Sequence, residues 1–297
     1  MEVIPIPPTS SGFAYRNIRT RTFFIVDDRL DENALKNALD RLIRDHWRLL
    51  GARITGDLKA PQLTYHLPIQ FTDDYELFRW TSEDSDASIE KAVPGLWPAS
   101  SKGRDARILP FNMDAIDARF RPAEWPYNFK DAVDVPSMLV NLSQFSDATV
   151  LAISLPHVVG DQMGLANIIS AWMGLLEGKT PPPLIGYKED ILPGQKPFSE
   201  YAKREVTEKG RTRIKSRLDV FLIPLGFAPE IVLKSKETRV MLLFPAALLQ
   251  SIREKPFSEK GKGAVTELTN ADIIAAIMVK VCIPHWLNGG LLTDHRM

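Results

Sequence analysis

A single cysteine, Cys282, in 297 residues excludes an internal disulfide and any zinc site built on paired cysteines. It sits in the apolar stretch from Ile273 to Ile283, which reads as a helix with Cys282 as a small core residue rather than a nucleophile. An excess of one charge sign is missing too. Thirty-seven Lys and Arg balance thirty-seven Asp and Glu, so no overall field draws the chain to nucleic acid or to an anionic membrane. No run approaches the roughly 18 uninterrupted apolar residues of a membrane span. The segment Met1–Pro8 lacks the basic start and apolar centre of a secretion signal. The expectation is a soluble, cytoplasmic protein with neither nucleic acid nor membrane as partner.

What is present suits a globular chain: 44% hydrophobic and 25% charged residues, with length for one large or two ordinary domains. From Asp31, the residues Ala34, Leu35, Ala38, Leu39, Leu42, Ile43, Trp47 and Leu50 recur at intervals of three and four. This predicts one long amphipathic helix, capped by Asp28 or Asp31 and ended by Gly51. Strands are expected at Arg19–Val26, Ala52–Thr55 and Leu63–Leu67. The stretch Asp73–Pro136 reads as irregular but packed around its aromatics, with a short helix near Ala87–Val93. A hairpin follows: Ser137–Phe145, a turn at Ser146-Asp147, and Thr149–Leu155, closed by Pro156. After the loop His157–Asp161, a helix is expected over Met163–Glu177, its stripe made of Leu165, Ile168, Ile169, Trp172, Met173 and Leu176.

Pro181–Pro183 opens a linker. The basic run Lys203–Arg217 reads as a solvated helix face rather than a phosphate-binding surface. Arg239–Phe244 is a strand with Pro245 at the start of the next helix. A Lys- and Gly-rich loop spans Lys255–Gly263. A last helix is capped by Thr269 with Asp272 in the capping-box place and ended by Pro284. The divisions expected are 1–180, 181–237 and 238–297.

Chemical devices with strong signatures are lacking: there is no nucleophile elbow, P-loop or His-Glu-x-x-His. What remains is His157-Val-Val-Gly-Asp161. As spacing alone it is weak. Its setting adds weight, because His157 ends an apolar β-run and Asp161 stands where a helix starts. Gly160 lets the loop turn sharply, and Gly164 admits close approach of backbone or ligand. An imidazole is a fitting general base near neutral pH, its reference pKa being about 6.5. It can take the proton of a hydroxyl or amine that attacks a thioester and return it to the leaving thiolate. The plainer alternative is that Asp161 only caps the helix and His157 has no role. From the residues alone both readings stand, and the oxyanion donor that acyl transfer needs is unassigned.

The segment Pro136–Leu176, above all Leu155-Pro-His-Val-Val-Gly-Asp-Gln-Met-Gly164, resembles the His-x-x-x-Asp region of the BAHD acyltransferases, and within them the fungal trichothecene acetyltransferase-like members. Leu35–Ile54, with Trp47 and Gly51-Ala-Arg53, is similar to the family's first long helix and following strand. Thr269–Ala276 is similar to the helix that opens its second half. The resemblance implies an α/β, chloramphenicol acetyltransferase-like two-domain fold with a channel between domains, the second domain incomplete here. It implies an acyl-coenzyme A co-substrate, no permanently bound cofactor and no metal. The acceptor would be an alcohol or amine, a small molecule of secondary metabolism, and the full-length protein a monomer. His157 would be the general base. Asp161 would steady the loop, with Gly160 and Gly164, through an ion pair with an arginine expected beyond this chain.

Two features depart from the family pattern. Gln162 stands where a glycine usually follows the aspartate, and the second motif, Asp-Phe-Gly-Trp-Gly, is absent. A truncated frame is therefore expected, and with it the alternative of an inactive or partner-dependent half. A condensation domain of a peptide synthetase ranks lower, since Pro156 occupies the place of the first of its two histidines.

Overall fold

The computed structural model describes residues 1–7, 16–56, 63–94, 96, 107–109, 113–126, 128, 135–185, 200, 202, 216–233, 241–253 and 268–291. They fall into two compact units. One comprises Met1–Ala92 with Asp114–Thr238, the other Val93–Met113 with Arg239–Met297. The architecture is mixed α/β, as expected. The basic run from Lys203 to Lys215, the Lys255–Gly263 loop and the side chain of Cys282 lie outside the described residues.

The first unit is organised by the hairpin β7 (Leu139–Gln144) and β8 (Thr149–Pro156). Every residue of β8 is buried, which is why it reads as a continuous apolar run rather than an alternating one. β2 (Arg19–Val26) pairs antiparallel with β8 along its whole length. β5 (Arg79–Asp84) pairs parallel with β7, giving the order β2-β8-β7-β5. A smaller antiparallel sheet joins β1 (Glu2–Pro5), β4 (Thr64–Leu67) and β3 (Arg53–Thr55) in the order β1-β4-β3.

Helices α1 (Glu32–Arg41) and α4 (Gln162–Leu176) cover one face of the larger sheet. Val140, Leu142, Leu151, Ile153 and Leu155 project into one core with Leu35, Leu39, Leu165 and Trp172. The other face meets α3 (Met113–Phe120). Here Phe120 packs its ring against Phe23 and Phe145, and its carbonyl accepts the side-chain N–H of Asn141 at 3.1 Å.

Several expectations need correction. The long helix from Asp31 is α-helical only to Arg41. It continues as a wider π turn over Leu42–His46 and, after Trp47, as a 3-10 turn over Arg48–Gly51. Trp47 leaves helical geometry (φ −119°, ψ 62°) as its ring is buried and its indole N–H donates to Pro182 O at 2.8 Å. The apolar periodicity holds through this break because the same core is served. Asp73–Pro136 is also more regular than expected, with β5, the short helix α2 (Ile89–Ala92), β6 (Arg107–Leu109) and α3. β5, Arg-Trp-Thr-Ser-Glu-Asp, is an edge strand turned partly to solvent, so it lacks an apolar signature. β1 was likewise without signal. The α4 stripe is Leu165, Ile168, Ala171, Trp172 and Leu175, while Leu176 is exposed.

In the second unit β6 pairs antiparallel with β9 (Met241–Leu243). Two of its helices follow, α6 (Ala246–Arg253) and α7 (Asn270–Leu291). Thr269 and Asp272 form the expected reciprocal cap. The Thr269 N–H reaches Asp272 Oδ2 at 2.9 Å, and the Asp272 N–H reaches Thr269 Oγ1 at 3.2 Å. Pro284 does not end α7, which runs to Leu291. A proline removes one backbone donor from a helix, and the turns beyond it can resume their own bonds.

Candidate functional site

His157 lies one residue beyond the end of β8. Its backbone N–H donates to Ile18 O at 2.9 Å, extending the β2–β8 ladder by one rung, and its side chain is half-buried. The next residue, Val158, is buried in the core of the smaller sheet with Ile4, Ile54 and Tyr65. Val159 packs against both cores. The loop is therefore gripped on either side of the histidine by apolar packing. A turn bond from Val159 N–H to Pro156 O at 2.9 Å closes it.

Tyr65 adds a polar clamp. Its hydroxyl donates to Val158 O at 3.1 Å inside the protein, and burial pushes its phenol pKa well above the usual tyrosine range. Tyr65→Phe should cost about 1–2 kcal/mol, since the Val158 carbonyl loses its donor in a dry setting. Chemical denaturation of the two proteins checks this.

Asp161 is the N-cap of α4. Its Oδ1 accepts the Gly164 N–H at 2.8 Å, and its carbonyl accepts the Leu165 N–H at 2.9 Å. Among the described residues no arginine pairs with it. The structure thus joins Asp161 and Gly164 directly. Gly160 stands against them, since a Cβ there would meet Gly164 Cα at 3.4 Å and Leu155 Cδ2 at 3.8 Å. Gly160 and Gly164 both have negative-φ backbone, and a Cβ at either position would meet its neighbours at ordinary van der Waals distance, so neither a left-handed turn nor tight packing demands glycine there. Asp161→Ala should lower stability by about 1 kcal/mol through the lost cap. Asp161→Asn, which keeps an acceptor, should restore most of it, as thermal melts would show.

At its far end α4 stops in a Schellman turn. Gly178, at φ 75°, donates to Leu175 O, and the Lys179 N–H reaches Gly174 O at 2.8 Å. Beside α4 lies a cleft of about 620 Å³. Val159 and Gly164 form one part of its wall, and Trp47, Ile168, Ala171 and Pro182 form an apolar part. It adjoins the loop without including His157, so it neighbours the imidazole rather than enclosing it.

Reading the sequence missed Arg19, Ser137 and Ser154, which are buried at the same end of the sheet. Arg19 begins an alternation of Arg and Thr that looks solvent-facing, and only the strand order reveals its burial. Among the described residues no group of three or more His, Cys, Asp or Glu is gathered as for a metal ion. Nor is any described helix long and apolar enough to cross a membrane.

No family model matches the chain. In sequence it is similar to Acetyltransferase adrJ of Penicillium rubens, 29% identical over 266 residues, 87% of this chain and 52% of that protein. It is 28% identical over 272 residues to O-acyltransferase pboC of Aspergillus ustus, covering 84% and 53%. It is also 31% identical over 236 residues to a protein named Transcriptional regulator sdnM, of Sordaria araneosa, covering 69% and 45%. The chain spans about half the length of the curated relatives it matches. In structure it is similar to F. sporotrichioides TRI101 complexed with coenzyme A and T-2, at TM-score 0.43 and 14% identity, over 60% of this chain and 42% of that one. The condensation domain of Monacolin K polyketide synthase MokA gives TM-score 0.40 at 12% identity, over 61% and 35%. The chain is thus related in sequence to fungal acetyltransferases and O-acyltransferases.

Proposed function

We propose that this chain carries the base-bearing half of an acyltransferase, with His157 as general base. It would move an acyl group from coenzyme A to a hydroxyl or amine of a small molecule of secondary metabolism, in the cytoplasm. The observation that carries this reading is the half-exposed imidazole at the end of a fully buried strand, its loop gripped by two cores and a capped helix. A base must hold its place while the acceptor approaches, and packing on both sides supplies that. The sequence relationship to fungal acyltransferases supports the same chemistry.

In the proposed step, His157 takes the acceptor proton as its oxygen or nitrogen attacks the thioester carbonyl. The tetrahedral intermediate collapses, the carbon–sulfur bond breaks, and the imidazolium returns its proton to the thiolate. Coenzyme A enters and leaves as co-substrate, so no resident cofactor is called for. Asp161 holds the loop through the α4 cap and takes no part in proton transfer. The test is release of free thiol from acetyl-coenzyme A by the purified chain with a panel of small alcohols and amines. Acceptor-dependent release supports the reading.

A second reading, a half that works only with a partner, is favoured by helix α5 (Arg217–Leu233). Leu218 and Phe221 are each 65% exposed and Val232 is 74% exposed, an unusual display for a helix of a finished enzyme. Thiol release that is absent from the isolated chain, together with retained binding of coenzyme A by calorimetry, would select this second reading.

A further inference from the structure

We propose that Arg19 is a positioning residue for His157, because it supplies a hydrogen bond that Pro156 cannot make. Arg19 opens β2 opposite Pro156 and is 6% exposed. Its Nε donates to Ser154 Oγ at 3.1 Å, and its Nη2 donates to Ser137 O at 3.0 Å and, more weakly, to Ser154 O at 3.5 Å. These partners are all neutral. Two residues on, Arg21 pairs conventionally with Asp117 at 2.9 Å. Among the described residues Arg19 has no such carboxylate, and burial lowers its pKa to about 10. A guanidinium held under that penalty needs a compensating structural reason.

The ladder provides one. In β7 and β8, Leu139 lies opposite Ser154, so continuing the register by two residues sets Ser137 opposite Pro156. His157 bonds across to Ile18 on the β2 side, and strand residues alternate sides, so position 156 turns its backbone toward β7. An ordinary residue there would donate its N–H to Ser137 O. Proline has none. The guanidinium of Arg19 reaches past Pro156 and donates to that carbonyl instead. Ser137 is in turn fixed by its hydroxyl, which donates to Ala52 O at 3.0 Å. The missing bond lets β8 part from β7 at a defined point, and Arg19 holds the opened corner. His157 is the first residue past that corner.

This rests on the proposed role of His157 only for its catalytic meaning, and the experiment reads the position of the imidazole without turnover. Arg19→Met, Arg19→Lys, Pro156→Ala and the double variant Arg19→Met/Pro156→Ala are compared in the full chain. The readouts are the long-range proton–nitrogen spectrum of the imidazoles and the rate at which diethylpyrocarbonate modifies His157, with His66 as internal reference. In Arg19→Met the His157 resonances should move and its modification rate change several-fold, while His66 stays as it was. Arg19→Lys should be intermediate. The double variant should return toward the parent, because alanine at 156 restores a backbone donor to Ser137 O.

An unchanged His157 in a folded Arg19→Met protein overturns the proposal, as does a double variant no closer to the parent than Arg19→Met alone. Should Arg19→Met fail to fold, Ser154→Ala, which removes the Nε acceptor, takes its place, and an unmoved His157 there counts equally against it. If His157→Ala leaves turnover intact, the general-base role of His157 fails while the Arg19 placement is still decided by these spectra.

Discussion

Replacing His157 by alanine should lower acceptor-dependent release of thiol from an acyl-coenzyme A by about 10²–10⁴-fold, the usual worth of a positioned base. The melting temperature should hardly change. Among the bonds that shape the loop are the His157 N–H to Ile18 O, the Val159 N–H to Pro156 O, the Tyr65 hydroxyl to Val158 O and the Asp161 cap on Gly164. None of these uses the imidazole, so alanine at 157 keeps all of them. The imidazole is half-buried, and its removal opens no deep cavity. His157→Gln, which keeps size and polarity but cannot carry the proton, should be as inactive as the alanine variant. A loss of rate that merely follows a loss of folded protein would refute the assignment, as would full activity in either variant. Asp161→Ala separates the two roles: it should loosen α4 measurably, with a smaller effect on rate than His157→Ala.

The loop was legible in the sequence because three kinds of signal met there. A buried strand, a short loop and a capped helix each have a local signature, and β8, His157 and Asp161 carry them in succession. The hairpin turn was legible for the same reason. Asp147 at its tip even accepts the Ile89 N–H, tying down α2. What stayed hidden depends on strand order. β5 is polar and partly exposed, and only pairing with β7 makes it a strand. The burial of Arg19 follows from Pro156 lying across from it, a relation over 137 positions that no periodicity reports. Tyr65 as a clamp on Val158 is hidden likewise, since the smaller sheet must first be assembled from β1, β3 and β4. Trp47 belongs to the core that its spacing predicts but stands outside α-helical geometry, because apolar spacing does not distinguish an α turn from the wider and tighter turns around it.

Trp172→Ala should be the most destabilising single change in the first unit, at about 3–5 kcal/mol. The indole is completely buried between α1, α4 and the sheet, and no described side chain so fully enclosed is larger. Its N–H donates to Leu35 O at 2.9 Å, which joins α4 to α1. Its ring meets that of Trp80 edge to face at 6.2 Å, which joins α4 to β5. One side chain thus links two helices and an edge strand, and alanine leaves a cavity that these elements cannot all close upon at once. For a unit of this size the loss corresponds to a fall in melting temperature of roughly 6–20 °C. Against a typical total stability of about 5–15 kcal/mol, it can unfold an appreciable fraction of the protein. Trp172→Phe should lose less, because the ring volume is partly kept and mainly the bond to Leu35 O is given up. Since α4 begins at the Asp161 cap, unseating it should also free the loop, and the His157 resonances of the Trp172→Ala protein should broaden even at temperatures where it is folded. A melting temperature within about 2 °C of the parent, less than a loss of 1 kcal/mol would give, would show that α4 is held by its stripe of Leu165, Ile168 and Leu175 without the indole.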